Sequence, residues 1–319
     1  VLFRSNNIYA SGSFAGANCQ FGNGITLSTG GTASDAFLAK YDLSGTCLWA
    51  RKGGGAGNES ATAVCADLNG YPTITGFFAS NATFGSITLS TGNTGEMFVV
   101  HYDPSGNSLW GKQGGGQNDD SGFGIACDSF GYVFVTGAFQ SNGTFTSVGG
   151  SPISVTSSGQ SDGFVSKYTP WGLLQYVLKV SGTGVDNAMS TSFSNNNNYY
   201  VAGNFTGTAT LGSISLTATG ANQQNYLTFV PGFSTGVDQN NLPEYFTYYP
   251  NPANENIFIQ DVETGSEISV YNGTGQIVYN TKANSNLIEL NTKGWDNGFY
   301  YLHINTNDKS ITQKLVVAH

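Results

Sequence analysis

The sequence predicts an all-β protein, a partial β-propeller of four-stranded blades followed by a small C-terminal Ig-like β-sandwich. Three observations lead there. Glycine supplies 44 of the 319 residues, Phe, Tyr and Trp supply 21, 17 and 4, and all charged types together reach only 10%. Charge at less than half its usual ~25% leaves too little for the solvated faces of helices. The 39% of hydrophobic residues is enough to bury a core, which excludes a disordered chain. The third observation is a tandem repeat. Phe37-Leu38-Ala39-Lys40-Tyr41-Asp42 returns as Phe98-Val99-Val100-His101-Tyr102-Asp103 and as Phe164-Val165-Ser166-Lys167-Tyr168-Thr169, with Tyr226-Leu227-Thr228-Phe229 a degenerate fourth copy; successive starts lie 61, 66 and 62 residues apart. Ser11-Gly12-Ser13-Phe14, Thr75-Gly76-Phe77-Phe78, Thr136-Gly137-Ala138-Phe139 and Ala202-Gly203-Asn204-Phe205 keep the same pace. Two blocks sharing one period make an array.

In chain order, Val1 to Ser5 looks unrelated to the repeats; Leu-Phe-Arg-Ser is what a common sequencing-adapter string encodes, so residues 1–5 are expected to be a non-native leader. Residues 6–233 hold about three and a half repeats, expected to belong to a larger ring. Each repeat reads as four strands. The first two are joined by turns such as Asp67-Leu68-Asn69-Gly70 and Asp128-Ser129-Phe130-Gly131, the last two by Asp42-Leu43-Ser44-Gly45 and Asp103-Pro104-Ser105-Gly106. Asp opens such a turn by accepting backbone N–H groups ahead of it, and Gly closes it. In the third strand Phe37, Ala39 and Tyr41 alternate with Leu38 and Lys40, the period of a pleated strand. A further β-rich excursion, such as Ile87-Thr88-Leu89-Ser90, falls between the second and third strands. Four strands in ~40–60 residues, repeated in tandem, describe propeller blades. The run from Asp35 to Trp49 (D-x-F-x-x-K-Y-D-x-x-G-x-x-x-W) resembles the SBBP family of bacterial β-propeller repeats; the second copy departs from it at Glu96 and His101, the third carries Trp171 in the turn.

Residues 234–245 are polar and aperiodic and read as a linker. Residues 246–319 hold short alternating segments at 256–260, 267–271, 276–279, 286–290, 299–305 and 311–317, the pattern of a small antiparallel sandwich. Along them run Tyr249-Pro250-Asn251-Pro252, then Ile268 to Gln276 with its Asn272-Gly273-Thr274-Gly275 turn, then Gly298-Phe299-Tyr300-Tyr301-Leu302, then Lys314-Leu315-Val316-Val317. In that order they closely resemble the type A C-terminal sorting domain of the type IX secretion system. The resemblance makes Pro250, Asn251, Pro252, Gly275, Gly298, Tyr300 and Lys314 the sorting-motif residues. It implies export across the outer membrane of a Bacteroidota-type bacterium, with the secretion machinery and its cell-surface processing enzyme as partners, and a location that is secreted or on the outer cell surface.

Charge and motifs narrow the chemistry. The net charge of −9 is spread over propeller, linker and sorting domain, no basic stripe invites nucleic acid, and no apolar run approaches the ~20 residues of a membrane span. None of the three histidines has a Ser or Cys partner that would build a triad; His101 stands where sister blades carry Lys40 and Lys167 and reads as a solvated strand residue. Cys19, Cys47, Cys65 and Cys127 allow three pairings. Aligning Asp67 with Asp128 puts Cys65 and Cys127 on opposite sheet faces, so Cys19–Cys47 is the preferred bridge. Gly53-Gly54-Gly55 and Gly114-Gly115-Gly116 lack the helix and Lys-Ser/Thr of a phosphate loop and read as inter-blade turns. Glu59, Asp119, Asp120 and Asp186 come after these turns and are the calcium candidates, with solvated turn capping as the alternative, because no D-x-D-x-D-G spacing occurs. No other cofactor is expected. Aromatics beside Asn-rich loops, as at 195–200, could stack on sugars. The expected function is binding, adhesion or display on the cell surface toward a glycan or protein ligand, and not catalysis. The alternatives are a secreted polysaccharide or protein hydrolase whose catalytic domain lies upstream, and a structural surface spacer.

Overall fold

The computed structural model describes residues 2–4, 6–91, 95–116, 118–128, 131–193, 198–212, 214–219, 222–231, 247–249, 253–260, 262–306 and 310–319. Every regular element among them is a β-strand, and the chain divides into two compact units, Val1–Gly232 and Phe233–His319.

The first unit is the blade array. The first blade comprises β1 (Leu2–Arg4), β2 (Asn7–Phe14), a side hairpin β3 (Cys19–Gly22) and β4 (Ile25–Leu27), then β5 (Asp35–Asp42) and β6 (Cys47–Gly55). The second repeats this with β7 (Glu59–Ala66), β8 (Pro72–Phe78), side hairpin β9 (Ala82–Phe84) and β10 (Ile87–Leu89), β11 (Glu96–Tyr102) and β12 (Ser108–Gly115). The third has β13 (Ser121–Cys127), β14 (Val133–Phe139), side hairpin β15 (Asn142–Phe145) and β16 (Ile153–Thr156), β17 (Asp162–Tyr168) and β18 (Leu174–Gly182). The fourth contributes β19 (Asn187–Phe193), β20 (Asn198–Phe205), side hairpin β21 (Thr208–Leu211) and β22 (Ile214–Thr217), and β23 (Gln224–Pro231). The residues expected to be a leader supply β1, which pairs with β2 through Leu2↔Tyr9 and Arg4↔Asn7 in the place of a first strand.

The excursion between second and third strands does not stay with its own blade. It adds to the outer edge of the blade before it: β9 pairs with β6, β15 with β12 and β21 with β18, giving three six-stranded sheets. This corrects the reading of the glycine triplets as turns. Gly53, Gly54 and Gly55 end β6, in register with Phe84, Thr83 and Ala82. A Cβ at Gly53 or Gly114 would collide with the ring of Phe84 or Phe145, so glycine is what lets the hairpin lie down.

Neighbouring blades bury both faces of the second blade's sheet. Along β11, Phe98, Val100 and Tyr102 enter the core shared with the first blade, whereas Met97 and Val99 enter the core shared with the third. Each fully buried aromatic contributes about 1.5–3 kcal/mol. This geometry also overturns the expected disulfide. The bridge is Cys65–Cys127, with Cα atoms 5.8 Å apart, and Cys19 and Cys47 are free thiols. The two cysteines do occupy opposite faces of equivalent strands, and that is why they meet: blades stack face to face, so the far face of one first strand looks at the near face of the next.

The turns obey the sequence. Asp42 Oδ1 accepts the N–H groups of Ser44 and Thr46, Asp67 those of Asn69 and Tyr71, and Asp103 those of Ser105 and Asn107.

The second unit is a two-sheet sandwich. β24 (Thr247–Tyr249), β25 (Asn256–Gln260) and β28 (Leu287–Asn291) form one sheet; β27 (Ile277–Lys282), β26 (Glu267–Tyr271), β29 (Gly298–Asn305) and β30 (Ser310–Val317) form the other, in that order. Alternate residues Ile257, Ile259, Ile268, Val270, Leu302, Ile304, Leu315 and Val317 fill the space between.

Candidate functional site

Two places gather the residues to which the sequence assigns roles: the blade junctions and the sandwich. At each junction two carboxylates open neighbouring strands. Glu59, Asp120 and Asp186 are buried, and their N–H groups donate to the carbonyls of Ser34, Gly95 and Ser161 at 2.8, 2.8 and 2.9 Å. The side chains turn back on the glycine-rich ends: Glu59 Oε2 accepts from Gly55 N–H at 2.9 Å and Asp120 Oδ2 from Gly116 N–H at 2.6 Å, while Asp120 Oδ1 takes Gln140 N–H at 2.7 Å. Asp186 Oδ1 accepts from Thr206 N–H at 3.4 Å. Beside each stands a carboxylate of the preceding blade, Asp35, Glu96 or Asp162. Lys52 lies 3.0 Å from Asp35 and Lys179 3.7 Å from Asp162, while Gln113 donates to Glu96 at 2.7 Å.

Burial first, then the neighbouring carboxylate, drives these groups toward their neutral forms. Glu59 is pushed up to about 7 by burial and by Asp35, and Asp186 to about 6 by burial and Asp162. Asp120 rises to about 6 through burial, with Glu96 and Asp119 adding to it. The four calcium candidates therefore fall apart as a set. Three are buried caps at three separate junctions, and Asp119 is exposed, accepting Gly95 N–H at 3.0 Å. Among the described residues no three His, Cys, Asp or Glu side chains converge as a metal site. The solvated-capping alternative holds for Asp119 and is corrected for Glu59, Asp120 and Asp186, whose capping is buried.

His101 is likewise not solvated. It is 5% exposed, its Nδ1 lies 2.8 Å from Thr73 Oγ1, and its ring stacks between Tyr71 and Trp110. Burial holds its pKa down at about 3, so the ring is neutral. Lys40, in the same slot, has the reach to donate to the Pro104 carbonyl at 3.0 Å, which a shorter imidazole lacks.

Beside Asp119 the second and third blades leave an open cleft of about 440 Å³, lined by Asn58, Phe77, Ala79, Gly95, Asp119, Asp120 and Ser121. Of the Asn-rich loop, residues 194–197 lie outside the described residues; Tyr200 is 43% exposed.

In the sandwich, Pro250, Asn251 and Pro252 lie outside the described residues. Gly275 closes the β26–β27 turn, its N–H donating to Asn272 O at 2.9 Å, and Asn272 Oδ1 accepts the N–H groups of Thr274 and Gln276. Gly298 starts β29 in register with Val317, and Lys314 lies on β30 opposite Tyr301. Tyr300 is buried, packs on Trp295 at 4.8 Å and donates to Asp296 O at 2.9 Å. Sequence reasoning missed Trp295 and His319. His319 Nε2 lies 2.9 Å from Trp295 O and its N–H donates to Asn297 Oδ1 at 2.8 Å, tying down the end of β30. Only the closeness of a tryptophan to the glycine of the next strand hinted at this.

Residues 247–318 match the family model of the secretion system C-terminal sorting domain. Two curated proteins resemble parts of the chain. An uncharacterized WD repeat-containing protein of Acanthamoeba polyphaga mimivirus is 26% identical over 202 residues, 54% of this chain and 14% of that protein. The regulatory protein FlaEY of Caulobacter vibrioides is 29% identical over 113 residues, 34% of this chain and 12% of that protein. The chain thus spans a small fraction of the length of these relatives. Among solved structures, PorZ, described as an essential bacterial surface component of the type-IX secretion system of Porphyromonas gingivalis, aligns at 14% identity over 99% of this chain and 59% of that one, with a TM-score of 0.23. The sorting domain marks its chain for export, followed by attachment to the cell surface or release. No helix of the described residues is long and apolar enough to cross a membrane.

Proposed function

We propose that this is a surface-displayed or released binding protein: a blade array of SBBP type carried out of the cell by its sorting domain, which engages the type IX machinery and its cell-surface processing enzyme. The observation that carries the export half is the match over residues 247–318 to a sandwich in which the Asn272–Gly275 turn and the motif strands β29 and β30 are in place. The binding half is supported by the cleft between the second and third blades. There half-buried Phe77 offers a ring, and Asn58, Asp119 and Ser121 offer polar groups around it, the mixture that grips a sugar or a peptide.

Deleting residues 246–319 is expected to leave the chain inside the cell, read by fractionation of cells, surface and medium. Undiminished export of the shortened chain would overturn the export reading. For binding, screening the chain against glycan and peptide arrays is expected to give ligands whose binding falls at least tenfold in Phe77→Ala. A ligand bound equally by that variant would move the site elsewhere, and no ligand at all would leave the spacer role.

A further inference from the structure

Three junctions between blades share one construction, and the first blade presents half of a fourth. At each complete junction three side chains come from the end of the second strand, the side hairpin and the third strand: Phe78, Phe84 and Phe98, then Phe139, Phe145 and Phe164, then Phe205, Leu211 and Tyr226. All nine are buried, six of them with no exposed surface. What covers them is the preceding blade's fourth strand, hydrogen-bonded to the side hairpin. The residue opposite the hairpin's large side chain varies with its size. Gly53 faces Phe84 and Gly114 faces Phe145, whereas Val180 faces the smaller Leu211.

The first blade carries the same set. Phe14, Phe21 and Phe37 already pack edge to face, with ring centroids 5.9, 6.5 and 5.0 Å apart, and β3 is already paired with β4. Yet all three rings stay partly exposed, and β3 and β4 form a two-stranded sheet with no further strand on the outer edge of β3 among the described residues. A strand edge beside a preformed aromatic face is a template for one more strand.

We propose that this face seats a further blade of the same repeat on the same polypeptide, whose fourth strand pairs with β3 and places a glycine opposite Phe21. The continuity with three intramolecular junctions selects a blade of this polypeptide over a second molecule. The size rule selects glycine, because a Cβ at Gly53 or Gly114 would run into the ring it faces.

The test keeps residues 7–319 and joins a blade to Asn7 in place of residues 1–6, the last strand of each graft standing where β1 stood. One graft copies residues 59–131, whose fourth strand brings Gly114; a second copies residues 120–197, whose fourth strand brings Val180. Hydrogen exchange of the Cys19–Gly22 amides reads the pairing directly. The first graft is expected to slow those amides about a hundredfold relative to the chain without it, the protection an added ladder confers. Gly114→Val in the grafted copy is expected to abolish that gain. The Val180 graft is expected to protect β3 in Phe21→Leu and not in the unaltered chain. Unchanged exchange at β3 with both grafts would overturn the proposal. So would protection in the ungrafted chain that rises with protein concentration, since that would assign the face to a second copy.

Discussion

At the residue scale, the buried carboxylates and His101 make opposite demands on pH. Glu59, held at about 7 against an unfolded value near 4.5, keeps a proton in the fold that the unfolded chain releases. Its stabilising effect is full below about 4.5 and disappears as pH rises through 7. Asp120 and Asp186, at about 6, behave alike at slightly lower pH, and Glu96 and Asp162 are moved in the same direction. His101 works the other way. Its folded value near 3 lies below the unfolded 6.5, so stability declines as pH falls through that interval. Between pH 7 and 5 several carboxylates oppose one imidazole, and the carboxylates win. The melting temperature of the blade array is therefore expected to be higher at pH 5 than at pH 8, by several degrees in calorimetry. Glu59→Gln, a neutral side chain that still accepts the Gly55 N–H, is expected to raise stability at pH 8, change little at pH 5 and flatten the profile. An unaltered pH profile in that variant would show that Glu59 is charged in the fold.

At the scale of elements, the cross-link and the side hairpins hold blade to blade. Cys65 and Cys127 are 62 residues apart, so closing that loop removes unfolded-state entropy worth about 4 kcal/mol in the chain-entropy model. Reduction, or Cys65→Ala with Cys127→Ala, is expected to cost about 2–4 kcal/mol in denaturant unfolding, with the fold retained. No loss on reduction would mean the thiols are unpaired. Where β9 crosses β6, Gly53→Val is expected to force the Phe84 ring out of its seat, destabilising by about 1–3 kcal/mol or more as an overpacked core does. Phe84→Ala at the same contact is expected to cost about 3–5 kcal/mol. Combined with Gly53→Val it should cost less than the sum, because the valine then occupies part of the vacated space. Strict additivity would place the two side chains out of contact. The glycines within the second strands have a different cause. The first strands bulge at Ala61/Ala63, Gly122/Gly124 and Ala188/Ser190, pressing the carbonyls of Ser60, Ser121 and Asn187 onto Gly76, Gly137 and Gly203.

For the whole molecule, the order of residues alone settled whatever is local or strictly periodic. The period of the array, the Asp-capped turns, the strands of the sandwich and the ordered sorting motifs were all legible, because each depends on side chains acting within a few residues or recurring at one spacing. The sandwich strand at Thr247–Tyr249 escaped, being three residues beside prolines. Contacts between repeats were not legible, and they decided the rest. The partner of Cys65, the burial of His101 and Glu59, and the role of the glycine triplets depend on which face of one blade meets the next. They depend also on the side hairpin crossing to the preceding blade. A repeat specifies its own pleat but carries no local mark of the neighbour that will cover it. Only stacking brings Cys65 to Cys127, Phe84 over Gly53 and an uncovered Phe21 to the end of the series, because hydrophobic burial between sheets rewards the packed pair and not the isolated strand.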